Sequence, residues 1–358
     1  MSLFSKRYHP PGTPPGTLSS RAEREPAQVR ISLLDYSAEG MSFTDEADVS
    51  SCKEAIEKDS VTWVQVLGQP SAELMHTLGD ALGLHPLALE DVLNAGQRPK
   101  LEPYDEQLFL VMHLPAFAND KVILHQISVF VSRNYLVSFC PCAHDPFASI
   151  VKRLQTAGTR VRQQGIDYLL YTLIDLVVDQ SFPVLEHFGA RIEMIEEAIV
   201  SGPDRKVLDQ VHQVKRNMIV LRRSLWPQRE VVSQLLRDVE GWISEPTRIY
   251  LRDCYDHTVQ IMDLVESFRD MSASLLDIYM SSASMRLNDV MRVLTVIATI
   301  FIPLTFITGI YGMNFGDNTQ SPWAMPELRW YYGYPLVWLL FVAVVAGMLI
   351  WFRRKRWI

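Results

Sequence analysis

The rhythm of hydrophobic and polar positions changes twice along this chain. Between residue 29 and about residue 140, short apolar runs are separated by polar breaks. Thr62-Trp63-Val64-Gln65-Val66-Leu67 alternates regularly, and Val29-Arg30-Ile31-Ser32-Leu33-Leu34 does so in part. Leu108–Met112, Val122–Phe130 and Tyr135–Phe139 are rich in β-branched and aromatic residues, and all of these runs predict strands. The last two are joined by Ser132-Arg133-Asn134, a hairpin-like link. From Ser71 to Leu84 the apolar positions Leu74, Leu78 and Leu82 fall on one helical face, behind a serine suited to an N-cap. Strands interleaved with helix predict an α/β layer domain.

From about Gln164 the pattern is helical throughout. One long helix is expected to about Val200, where Ser201-Gly202-Pro203 stops it. Asp204 is placed to cap the next, expected to run to about Arg237 with an interruption at Pro227. Glu245-Pro246 opens the last helix, with proline in the first turn. No glycine or proline follows until Pro303. As a helix that stretch is about 85 Å long, which predicts a stalk that continues directly into a membrane span.

Two charge-free runs, Val293–Phe315 and Trp330–Phe352, are flanked by Arg292 and Arg353. Each exceeds the roughly 20 residues a helix needs to cross a bilayer core. Trp330, Tyr331, Tyr332 and Tyr334 at one end of the second run, and Trp351 and Phe352 at the other, fit interfacial belts. The tail Arg353-Arg354-Lys355-Arg356 predicts a cytoplasmic C-terminus, hence a cytoplasmic N-terminus and an outer connection. The expected architecture is an α+β membrane protein, multi-pass in the inner membrane. A disordered Pro- and Gly-rich tail with no signal-peptide core (1–28) leads into a cytoplasmic α/β domain (29–160) and antiparallel long helices (161–245). A stalk helix with the first span (246–312), an outer loop (313–329), the second span (330–352) and a basic tail (353–358) complete it.

Composition narrows the function. Asp and Glu (41) outnumber Lys and Arg (34), for a net charge of −7, which argues against nucleic acid as a partner. No GxxxxGK[ST] motif is present, so no nucleotide is expected. Cys52, Cys140, Cys142 and Cys254 offer no CxxC pairs and no disulfide spacing, and a reducing setting is expected. Cys140-Pro141-Cys142 lacks the second thiol pair that a soft-metal site needs. The histidines are scattered with no nucleophile motif beside them, so the chain is not expected to be an enzyme.

Asn288, Met291, Thr295, Ala298, Ile302, Thr305, Gly309 and Gly312 recur at steps of three and four and form one stripe. Small and hydroxylated residues on one face serve either close helix packing or a water-filled path, and the pattern supports both. Two helices cannot enclose a pore, so a pore requires several copies about an axis. Gly312-Met313-Asn314 lies where the first apolar run ends. A ring of Asn carbonyl oxygens there suits the first-shell waters of Mg²⁺, an ion that dehydrates reluctantly. Gly312 is expected to supply the backbone freedom that ends the helix, and Asn314 alone equally fits a helix C-cap.

Asn288-Asp289-Val290-Met291-Arg292-Val293-Leu294-Thr295, Ile297–Phe306, Tyr311-Gly312-Met313-Asn314-Phe315 and Met325-Pro326-Glu327-Leu328 resemble the CorA family of magnesium and cobalt transporters. So do His85–Asn94, Gln97-Arg98-Pro99-Lys100, Tyr255-Asp256-His257-Thr258 and the basic-aromatic tail. The resemblance implies a homopentamer with a funnel-shaped cytoplasmic domain. It implies a selectivity filter of Gly312, Met313 and Asn314, and a pore lined by Asn288, Met291, Leu294, Ala298, Ile302, Thr305 and Gly309, with Met291 and Leu294 as the hydrophobic constriction. It implies regulatory Mg²⁺ between subunits, on Asp91 of one and Asp253 of the next, with Glu90 and Asp175 as further candidates and Asp277 as another acidic ring. The basic tail would contact lipid head groups. The expected function is Mg²⁺ influx, with Co²⁺ or Ni²⁺ as further cargo, driven by membrane potential and closed by cytoplasmic Mg²⁺. The alternatives are Co²⁺, Ni²⁺ or ZntB-like Zn²⁺ transport, or a membrane metal sensor without transport. The absence of His and Cys from both spans and their connection weakens the zinc alternative. One departure is Gly316–Ala324, which lengthens the outer loop relative to the family pattern.

Overall fold

Val, Ile, Phe and Trp at alternate positions need two apolar surfaces to bury both sides of a strand. The computed structural model, which describes residues 14, 16–18, 29–118, 121–202, 204–237, 241–313, 325, 328 and 330–357, supplies them around one sheet. The strands are β1 (Arg30–Tyr36), β2 (Met41–Thr44), β3 (Val61–Leu67), β4 (Lys100–Tyr104), β5 (Gln107–Ala118), β6 (Lys121–Val131) and β7 (Tyr135–Cys140). Their spatial order is β2-β1-β3-β7-β6-β5-β4. All neighbours are antiparallel except β3 and β7, which pair in parallel from Thr62↔Tyr135 to Leu67↔Cys140. The predicted link at 132–134 joins β6 to β7 as expected.

The helices are α1 (Val49–Ile56), α2 (Ala72–Leu82), α3 (Pro86–Leu93), α4 (Ala148–Gln155), α5 (Arg160–Gln163), α6 (Ile166–Asp179), α7 (Ser181–Ser201), α8 (Arg205–Arg237), α9 (Glu245–Tyr311) and α10 (Gly333–Arg354). Met75, Leu78 and Leu82 of α2, Cys52 and Ala55 of α1 and Ala88 and Leu89 of α3 close over Val64, Val66, Phe109, Val111, Val137 and Phe139. The alternate residues Trp63, Leu108, Leu110 and Leu136 are also buried, so both sheet faces are covered. Ser71 accepts from the Leu74 N–H as the expected N-cap, and left-handed Gly83 ends α2. A Cβ at Gly79 would run into Leu89 Cδ1, so that glycine sets how closely α3 approaches α2.

Several expectations need correction. The helix expected from 164 to 200 is two, with α6 ending at Asp179 and α7 starting at Ser181. Pro227 does not interrupt α8: its ring is buried, and packing outweighs the one lost backbone bond. The second apolar helix begins at Gly333, three residues later than the charge-free run. Part of the N-terminal tail is tied down: the Gly16 N–H donates to Glu90 Oε2 (2.7 Å), and Leu18 packs against the core. Cys140 and Cys142 form a disulfide across a Cα separation of 5.3 Å, although their spacing did not predict one.

The chain divides into two units, one of residues 1–198 with 204–276 and one of residues 199–203 with 277–358. Among the described residues, three helical stretches are long and apolar enough to cross a membrane. The most apolar window within Ile166–Ser201 is largely buried within the fold (67%), which makes it a core element, whereas the apolar windows of α9 and α10 are only 6% buried. Surface that apolar is stable in lipid or against other chains, not in water.

Candidate functional site

α9 is one helix of 67 residues, and its C-terminal part carries the predicted stripe. Asn288, Met291, Leu294, Ile302, Thr305 and Gly309 are exposed in the single chain and Ala298 is half-buried. The flanking face of the same helix (Phe301, Leu304, Thr308) meets Trp338, Phe341, Val342, Val345 and Leu349 of α10 across an apolar cleft of about 760 Å³. Thr305 and Gly309 border that cleft, while the rest of the predicted lining lies outside it.

The stripe hydroxyls are oriented by the helix itself. Thr295 Oγ1 donates to the Met291 carbonyl (2.7 Å) and Thr305 Oγ1 to the Phe301 carbonyl (2.9 Å). With each proton turned inward, each oxygen presents only lone pairs outward, the polarity that suits the water shell of a cation. The helix ends with the Gly312 N–H on the Thr308 carbonyl (2.9 Å) and the Met313 N–H on that of Ile310 (3.1 Å). Gly312 does not occupy the left-handed region, which corrects the expected reason for a glycine there. A Cβ there would stand 3.3 Å from the Thr308 carbonyl oxygen, about the spacing of an ordinary helical turn. Asn314 lies outside the described residues.

The predicted regulatory acids fall into distinct settings. Asp91, near the end of α3, accepts from Gln97 Nε2 (2.5 Å) and Lys100 Nζ (2.6 Å). Lys100 also donates to Glu102 (2.7 Å), whose carboxylate accepts from the Tyr104 hydroxyl (2.9 Å). Glu90 accepts from Gly16 as described above. Gln97 ties this corner to α8. Its carbonyl lies 2.8 Å from His113 Nε2, and His113 Nδ1 lies 2.8 Å from Ser224 Oγ. Since a carbonyl only accepts, Nε2 carries the proton and Nδ1 accepts from the serine. Burial pulls the His113 pKa down to about 4, against the opposing bond to Gln97.

Asp175 on α6 sits with Asp179 and with His257 of α9, their ligand atoms all within 4.8 Å of one another. His257 Nδ1 is 3.0 Å from Asp179 Oδ1. Burial, then the charge of Asp179 and, more weakly, that of Asp253, push Asp175 up to about 6. Burial, then the same negative field, pushes the Cys254 thiol up. A divalent cation would relieve that repulsion, and the two carboxylates and one imidazole supply ligand types used for such ions. Asp179 and His257 were not singled out from sequence as ligands. The signal was present, because Asp175/Asp179 and Asp253/His257 are both i,i+4 pairs. Asp277 is exposed on α9. The expected pairing of Asp91 with Asp253 needs a second subunit.

These two groups oppose each other in pH. Stability from protonated Asp175 is present at low pH and is lost as pH rises through about 6. Stability from neutral His113 is present above its ordinary value of 6.5 and is lost as pH falls towards about 4. Asp175→Asn removes the first slope. In metal-free buffer, its urea midpoint should therefore climb with pH more steeply than that of the wild type across this window. Parallel profiles would refute the assignment.

Comparison with known proteins bears on these features. The family described as CorA-like Mg²⁺ transporter protein matches residues 58–354. The cobalt/magnesium transport protein CorA of Thermotoga maritima is 40% identical over 352 residues, 97% of each chain. The putative metal ion transporter YfjQ of Bacillus subtilis is 35% identical, over 85% of this chain and 92% of its own. The complete structure of the CorA magnesium transporter from Methanocaldococcus jannaschii superposes with a TM-score of 0.74, at 23% identity, over 92% of this chain and 98% of that one. With a family match over most of its length and a near full-length relative at this identity, the chain belongs to the CorA-like Mg²⁺ transporter protein family.

Proposed function

We propose that this chain is the subunit of a homopentameric channel that carries Mg²⁺, and Co²⁺ as a second cargo, down the membrane potential into the cytoplasm. The observation that carries the reading is the stripe on α9. Apart from half-buried Ala298 it is exposed in the single chain, has threonine oxygens turned outward as acceptors, and ends at Gly312-Met313. Copies of α9 around an axis would bury this stripe as the wall of a wet path, with α10 towards lipid. Asn314 would hold the hydrated ion at the outer mouth, and Met291 and Leu294 would form the dewetting constriction. A doubly charged ion gains about 4.6 kcal/mol per 100 mV of inside-negative potential, so no nucleotide is needed.

Closure would come from cytoplasmic Mg²⁺ bound between subunits, on Asp91 of one and Asp253 of the next, with Glu90 and Asp175 nearby and Asp277 as a further ring. Carboxylates facing across an interface repel until a divalent ion neutralises them. In this topology both termini are cytoplasmic, and Arg353–Arg356 rest against anionic head groups.

Flux into liposomes tests the proposal. Reconstituted protein should admit Mg²⁺ in response to an inside-negative potential, and Asn314→Ala should lose selective passage. Equal uptake by wild-type and protein-free vesicles would overturn it.

A further inference from the structure

Both oxygens of Asp91 are occupied within its own chain: Oδ1 accepts from the Gln97 amide and Oδ2 from the Lys100 ammonium. The amide is compatible with a bound cation, because a carboxylate has about four lone-pair sites and a neutral donor does not repel a metal. The ammonium is not compatible. It is a compact positive charge 2.6 Å from Oδ2, close enough to repel a divalent ion approaching either oxygen. Lys100 and Asp91 are both largely shielded from solvent (side chains 27% and 20% exposed), so water screens their attraction only in part. Lys100 also has an alternative partner at hand, since Glu102 Oε2 lies 2.7 Å from the same Nζ. The Phe109 ring beneath it, with its centroid 5.7 Å from Nζ, restricts where the ammonium can swing.

We infer that Lys100 is a tethered counter-cation that competes with divalent ions for Asp91 and so sets the Mg²⁺ concentration at which the sensor fills. The inference rests on the reading of Asp91 as a sensor ligand. With the site vacant, the ammonium bridges Asp91 and Glu102. When a divalent ion binds, Lys100 retreats to Glu102 alone, and the lost bond to Asp91 is subtracted from the affinity. Two opposite expectations follow. Removing the Lys100 charge frees Asp91 and tightens binding. Removing the Glu102 charge leaves the ammonium committed to Asp91 and weakens binding.

The test uses the full-length protein in detergent with Mg²⁺ as the probe. The readout is the Mg²⁺ concentration giving half-maximal protection from chymotrypsin, a protease that does not cleave at lysine. Lys100→Met should lower that midpoint about tenfold, the equivalent of one charge-assisted hydrogen bond. Lys100→Arg should stay near the wild type, and Glu102→Gln should raise the midpoint severalfold. An unchanged or raised midpoint in Lys100→Met overturns the inference. If that variant does not fold, an unmoved midpoint in Glu102→Gln does the same. Asp91→Asn separates the two levels. A shifted Asp91→Asn midpoint beside an unmoved Lys100→Met rejects the competitor role alone, whereas an unmoved Asp91→Asn rejects the sensor reading and the inference with it.

Discussion

Leu294→Asn should keep admitting Mg²⁺ at internal Mg²⁺ concentrations that silence the wild type. Leu294 and Met291 lie one turn apart on α9, and both are exposed in the single chain (58% and 52%). In a ring of copies these side chains would form an apolar neck. Water leaves such a neck when it is narrow, and a hydrated divalent ion cannot cross a dry gap. Asparagine keeps the branched shape and heavy-atom count of leucine in a smaller volume, and it offers a donor and an acceptor to water, so the neck stays wet. The ratio of flux at low to high internal Mg²⁺ should fall on the order of tenfold, a typical coupling energy between effector and response. Leu294→Ile, which is equally apolar, should close normally. The measurement is uptake into liposomes preloaded with graded Mg²⁺. A Leu294→Asn protein that closes along the wild-type curve would reject the constriction.

What could be read from the sequence was what is written locally. The Ser71 cap, the 132–134 link, the Asp204 cap and the charge-free ends of α9 and α10 each depend on residues a few positions apart, and each is present. Failures came where distant packing decides. Pro227 reads as a breaker, yet it is buried within a continuous α8. The strand order that places β3 beside β7 follows from no local rule. Resemblance points to Glu90, Asp91, Asp175 and Asp253 but not to their surroundings. The partners of Asp91 lie six and nine residues away, across a turn and into β4. His113 and Ser224 are separated by 111 positions. Such contacts are invisible to periodicity, and those to Gln97 and Lys100 decide how strongly Asp91 is held.

Trp63→Ala should remove about 3–5 kcal/mol of stability, the largest single loss expected in the α/β layer. Trp63 is fully buried on β3, which pairs with β1 on one side and β7 on the other. Its ring meets Phe147 edge-on at 6.1 Å, and its Nε1 donates to Ser138 Oγ at 2.9 Å across the parallel pair. Truncation leaves a ring-sized void that β-strand neighbours cannot collapse into, and it strips the buried Ser138 oxygen of its donor. Trp63→Phe separates these effects. It retains the six-membered ring and loses the indole N–H with a smaller part of the volume, for about 1–3 kcal/mol. Far-ultraviolet circular dichroism of the full chain in detergent, followed on heating, checks the order wild type, Trp63→Phe, Trp63→Ala. A Trp63→Ala protein melting within a degree or two of the wild type would show that the β3–β7 junction does not hold the domain together.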